Sequence, residues 1–186
     1  MYVQDYDETL PMADWGNNCT APPYTVFASG TKGAGADCPR WADLFQPYVK
    51  NTAIMRCPSD GTQPVVAGLP LSYGVNYYFY RTPAGFRGNS SGGTLAEIQS
   101  PAGKIYVAEL PASANQELVR PDRMCPNAVC ARPPHREGST YLYVDGHARW
   151  HKTPAWTTAA TWSDATSAQN SPYAQWVPWV DAPEAW

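Results

Sequence analysis

Two imidazoles and a carboxylate lie close together in one stretch of this chain, Pro134-His-Arg-Glu-Gly-Ser-Thr-Tyr-Leu-Tyr-Val-Asp-Gly-His147. The residues are His135, Asp145 and His147. Imidazole nitrogens and carboxylate oxygens ligate zinc, and the same groups move protons in acid–base catalysis. A secreted hydrolase built on them would take Glu109 or Glu137 as a second carboxylate and His151 as a further nitrogen. The local pattern explains the residues more simply. Asp145-Gly146 sits between two runs of β-formers, and Asp-Gly is the strongest short-range hairpin signal. Asp145 then serves the turn and His135 is a hydrogen-bonding strut. No further ligand stands at a firm spacing, so we expect no metal, no cofactor and no catalytic residue. The chain also lacks a Walker loop, His-Glu-x-x-His and Gly-x-Gly-x-x-Gly.

A two-residue type I′ turn at Asp145-Gly146 sets the expected pairing: 144 with 147, 143 with 148, 142 with 149 and 141 with 150. Tyr141, Tyr143, Ala148 and Trp150 then share the core face, with Tyr141 and Trp150 as an aromatic cross-strand pair. Strands are also expected at 71–80 and 104–109. Residues 1–10 read as the last turns of a helix, with Tyr2, Tyr6 and Leu10 as its apolar stripe and Pro11 as its stop. A second helix is expected over 40–50. There Trp41, Leu44, Phe45 and Tyr48 recur at i, i+3, i+4 and i+7, with Pro47 against its continuing. Thr94 and Glu97 stand at capping-box spacing. Residues 111–133 read as a long loop. The segment Asp5, Asp7 and Glu8 reads as a solvated helix end, not a calcium loop.

Composition narrows the class. The chain has 186 residues, a formal charge of −3 and 16% charged residues, against about 25% in a typical soluble domain. Nineteen Pro and fourteen Gly cut it into short pieces. No basic stripe argues for nucleic acid, and no apolar run is long enough to span a membrane. The five cysteines include no Cys-x-x-Cys pair, which argues against a zinc ribbon. We read Cys19 with Cys38 and Cys125 with Cys130 as disulfides in an oxidising compartment. The former would contribute about 3 kcal/mol in the chain-entropy model. Cys57 is left over. Residues 152–186 carry Trp156, Trp162, Trp176, Trp179 and Trp186. They read as a tail that wraps the domain, with its tryptophans as anchors.

A His, nine intervening residues and then Asp-Gly resembles the C-terminal signature of a family of bacterial prepilin-like proteins. These are exported pseudopilins related to type IV pilins and type II secretion subunits. Met1 to Pro11, Leu44-Phe-Gln-Pro-Tyr-Val-Lys50, Arg56-Cys-Pro-Ser-Asp60, Ser72-Tyr-Gly-Val-Asn76 and Ser100-Pro-Ala102 resemble further blocks of that family in the same order. The resemblance spans about residues 1–151 and excludes the tail. It implies an α+β pilin-like head: a truncated N-terminal helix packed on a small antiparallel sheet, with long disulfide-linked loops. It also implies a long apolar helix upstream of Met1, which anchors the subunit in the inner membrane before assembly and packs into the filament afterwards. A cysteine in that helix would be the partner of Cys57.

The expected function follows from the resemblance: an extracytoplasmic filament or pseudopilus subunit that self-associates, with His135, Asp145, Gly146, His147 and Trp150 in structural roles. The alternative is a secreted module binding a glycan or surface. Its aromatic platforms would be Trp156, Trp162, Trp176 and Trp179, with Tyr77, Tyr78 and Tyr80. Exported cargo is a further candidate partner, and nucleic acid is not one.

Overall fold

The computed structural model describes residues 2–11, 41–59, 65–66, 69–70, 72–82, 85–86, 93–110, 118–119, 135 and 138–152. The cysteine pairs Cys19/Cys38 and Cys125/Cys130 and the tail tryptophans lie outside them.

Two helices open the described chain, α1 (Tyr2–Asp5) and α2 (Trp41–Val49). The expected helix over 1–10 is corrected to a shorter one. Asp7 (φ 49°) and Glu8 (φ 58°) turn left-handed, and the Glu8 amide donates to the Val3 carbonyl at 2.7 Å. This six-to-one bond is the Schellman way of closing a helix, with Asp7, which tolerates the left-handed region better than most residues, at the turning position. The gain is tertiary. Thr9 bridges Thr94, the Leu10 amide donates to Gly93, and Leu10 and Pro11 become buried. The expected stripe therefore splits: Tyr6 stays outside, stacked on Tyr2 at 4.4 Å, while Leu10 enters the core.

α2 matches its periodicity. Trp41 is buried, and Leu44, Phe45 and Tyr48 are half-buried. Pro47 lies exposed near the end of the helix, which runs only two residues beyond it. Lys50 (φ 54°) closes the helix by donating to the Gln46 carbonyl. Asn51 then caps a 3-10 turn, Thr52–Met55, by accepting from the Ala53 amide at 3.0 Å.

The strands are β1 (Val65–Val66), β2 (Leu69–Pro70), β3 (Tyr73–Asn76), β4 (Arg81–Thr82), β5 (Gly85–Phe86), β6 (Ile105–Glu109), β7 (Leu118–Val119), β8 (Gly138–Tyr143) and β9 (Ala148–Lys152). β1 with β2 and β4 with β5 form two small hairpins. The main sheet runs β7-β3-β6-β8-β9. Its four long strands are antiparallel, as expected. The correction is β7, a two-residue edge strand inside the expected loop, which pairs parallel to β3 through Val75 and Leu118. β6 is central and every residue in it is buried, so its near-continuous apolar run fits burial on both faces. The class is α+β.

The strand expected over 71–80 stops at Asn76. Its side-chain oxygen accepts from the Tyr78 amide at 3.0 Å, an Asx turn that competes with further ladder pairing. Residues Tyr77–Tyr80 become a 3-10 turn. Tyr77 and Tyr78 are buried, so neither offers the exposed platform expected of them.

The hairpin lies where expected, but its register is one residue off. Leu142 pairs with Ala148, Tyr141 with Arg149, Thr140 with Trp150 and Ser139 with His151. The loop has three residues, 144–146. The Gly146 amide donates to the Tyr143 carbonyl and the Tyr143 amide to the His147 carbonyl. Gly146 alone takes positive φ, at 96°, whereas type I′ needs it at both central positions. This is the geometry of a type I turn closed by a glycine bulge. A one-residue slip exchanges faces. Trp150 is therefore 49% exposed instead of paired with Tyr141, and His151 takes the buried position.

Candidate functional site: a Cys57–Glu109–His135 cluster

Antiparallel pairing brings distant residues to one end of the sheet. Glu109 ends β6 and pairs with Tyr73 of β3. The Ser72 amide donates to the Met55 carbonyl, and the Leu110 amide to the Ser72 carbonyl. These two bonds lay the segment carrying Cys57 beside the end of β6. From the other side, the amide of Gly138, the first residue of β8, donates to the His135 carbonyl at 2.8 Å. His135 is thereby delivered to the same end.

There, His135 Nε2 lies 2.8 Å from Glu109 Oε1 and 3.3 Å from Cys57 Sγ. All three donor atoms fall within 4.8 Å of one another. Cys57 and Glu109 are each 3% exposed and the His135 side chain is 32% exposed, so the cluster opens on the imidazole side. Among the described residues Cys57 is a free thiol.

The geometry separates chemical roles. In a nucleophilic relay the thiol and the orienting carboxylate sit on opposite ring nitrogens. Here both converge on Nε2. One nitrogen cannot accept a proton from sulfur while donating one to the carboxylate. A proton on Nε2 serves the Glu109 bond, which makes His135 a strut for a buried carboxylate.

The other expected members lie elsewhere. Asp145 and His147 do not join His135 in any cluster of three such donors among the described residues. They pair with each other at the hairpin tip. His147 Nδ1–H donates to Asp145 Oδ1 at 2.6 Å, and the same oxygen accepts from the His147 amide at 3.1 Å. Asp145 is a turn residue. The His147 ring stacks on Tyr143 at 4.3 Å. Asp5, Asp7 and Glu8 are exposed and form no donor cluster among the described residues. Asp5 instead accepts from Tyr48 at 2.7 Å, and that bond holds the Tyr48 phenol up to about 12.

Tyr143 and His151 form a second polar pair, 3.1 Å apart. Burial raises the phenol pKa of Tyr143. Burial, then the charges of Arg149 and His147, lower that of His151. A protonated phenol donating to a neutral imidazole satisfies both shifts. The stability consequence has a definite sign. The folded pKa of His151 lies below its unfolded value of about 6.5, so its contribution is complete above that pH and is lost as pH falls through the folded pKa. Urea unfolding at stepped pH should show stability declining on acidification, and His151→Phe should flatten that slope. An unchanged slope would contradict a neutral buried imidazole.

Comparisons with family models, curated proteins and solved structures return no match to this chain.

Proposed function

We propose that the chain is the head of an extracytoplasmic pilus-like or pseudopilus filament subunit, acting by self-assembly and not by catalysis. The observation that supports this most is how the first helix is held. An isolated helix as short as α1 does not persist in water. Here the Tyr2 ring packs edge-on against Phe45 and Tyr48 of α2 at 5.6 and 5.8 Å, and Tyr48 donates to Asp5. Such a clamp would carry load from a preceding stalk helix into the head. His135 and Asp145, the two poles of the pilin-like signature, also do separate structural work, one bracing Glu109 and the other building the hairpin tip.

Among the described residues no helix is long and apolar enough to cross a membrane. The filament reading assigns that task to a segment upstream of Met1. Surface filaments sheared from the source cells should contain this chain, and antibody to the head should decorate them along their length. Recovery only as a dispersed soluble protein would contradict the proposal. Cell-surface or periplasmic location belongs to the same reading.

A further inference from the structure

We infer that Cys57, Glu109 and His135 form a site for a single divalent zinc ion, with the Cys57 thiolate, a Glu109 carboxylate oxygen and His135 Nε2 as its protein ligands. This does not rest on the filament reading.

Three observations carry it. The first is convergence. Sulfur and carboxylate oxygen approach the same ring nitrogen, the arrangement of donors around a common centre and not of a proton relay. Zinc bonds of about 2.3 Å to sulfur and about 2.0–2.1 Å to nitrogen and oxygen put tetrahedral ligand atoms about 3.4–3.6 Å apart. The Cys57–His135 separation of 3.3 Å is already close to this. The Glu109–His135 separation of 2.8 Å requires a small opening, which the part-exposed imidazole can supply.

The second is charge. Thiolate and carboxylate together carry two negative charges, and a divalent cation neutralises both. A neutral assembly suits a site in which two of three ligands are 3% exposed, because burying net charge is costly. Binding converts the Cys57 thiol to thiolate and releases its proton to solvent, Glu109 binds as carboxylate, and the neutral His135 ring exchanges its Nε2 proton for one on Nδ1 through solvent, which frees Nε2 to ligate and leaves a net release of one proton.

The third is donor softness. Thiolate and imidazole select zinc over magnesium or calcium, which take oxygen. Three protein ligands with the site open beside His135 leave a position for water, so a Lewis-acidic centre of the His/Cys/carboxylate type is chemically feasible. The members of this set are scattered along the chain, so no sequence spacing joins them.

A cysteine upstream of Met1 bonded to Cys57 would exclude the thiolate ligand, so the staple implied by the resemblance and the zinc site are alternatives. The test is titration of the metal-free chain with zinc, followed by competition with a chromophoric chelator. We expect one zinc per chain, release of about one proton near neutral pH, and X-ray absorption at the zinc edge showing one sulfur among nitrogen and oxygen neighbours. Cys57→Ser, Glu109→Gln and His135→Gln should each weaken binding about a hundredfold or more, with His147→Ala unchanged. Binding that survives Cys57→Ser, or an edge spectrum with two or more sulfurs, would put the metal on other cysteines and overturn the assignment. So would no binding at micromolar zinc. The edge spectrum is read on the unmutated chain, so the test stands even where a variant fails to fold. Success or failure here leaves the filament result unaffected.

Discussion

Asn76→Ala should lower the unfolding free energy by about 3 kcal/mol, because two buried backbone groups lose their partners and each costs about 1–3 kcal/mol. Asn76 has no exposed surface. Its amide nitrogen donates to the Ile105 carbonyl at 2.8 Å and its oxygen accepts from the Tyr78 amide at 3.0 Å. Alanine supplies neither group and leaves both backbone atoms where water does not reach. The damage is placed at a junction. Asn76 ends β3, fastens it to β6 and turns the chain into the 3-10 turn Tyr77–Tyr80, where Tyr77, Tyr78 and Phe79 are buried. β3 is also the strand that pairs with Glu109, so loosening it should disturb the donor cluster as well. Chemical denaturation with tryptophan fluorescence reads the effect. A loss under about 0.5 kcal/mol, the range of a neutral surface change, would mean that these bonds are not formed.

Gly138→Ala should cost about 1–3 kcal/mol, the usual range for forcing volume into a filled site. A Cβ at Gly138 would overlap Cζ2 of Trp150 and the His151 carbonyl oxygen. The two clashes differ in kind. Trp150 is half exposed and its ring can swing aside, but the carbonyl belongs to β9 and can move only by opening the ladder. The double variant Gly138→Ala, Trp150→Ala should therefore recover part of the loss and not all of it. Full recovery would contradict the backbone contact, and no loss in the single variant would contradict the close packing of indole on glycine. The Gly138 amide also holds the His135 carbonyl. Displacing Gly138 should shift His135 from Glu109 and weaken zinc binding alongside stability.

These positions show where sequence reading succeeds and where it stops. The strand at Ile105–Glu109 was legible because an uninterrupted run of buried residues leaves little else to form. Helix α2 was legible for the same reason, since four apolar residues on one stripe outweigh a late proline. The hairpin was legible in position but not in register. Asp-Gly fits both a two-residue loop and the three-residue loop observed, and the difference lies in whether the residue before Gly146 also turns left-handed. That single dihedral decided the fate of Trp150 and His151. The end of α1 and the end of β3 both depended on local hydrogen bonds, at Glu8 and Asn76, that periodicity does not register.

The Cys57–Glu109–His135 cluster was the least legible feature. Cys57 and His135 are 78 residues apart, and no spacing rule joins them. One signal was present. Glu109 closes the buried strand Ile-Tyr-Val-Ala-Glu, and a carboxylate in that place needs a partner. His135 reads from the sequence as a hydrogen-bonding strut and Glu109 as one of two candidate carboxylates beside it, but nothing along the chain brings Cys57 to them.

The proposed filament role requires this chain to be carried on a filament-forming stalk. Intact-mass measurement of the native gene product, taken from the sheared surface fraction of its source, tests this most directly. A filament subunit should extend upstream of Met1 by an apolar segment long enough to span a bilayer, about 20 residues or more, joined to α1. A native product that begins at Met1, or that is preceded only by a removed secretory signal, would contradict it.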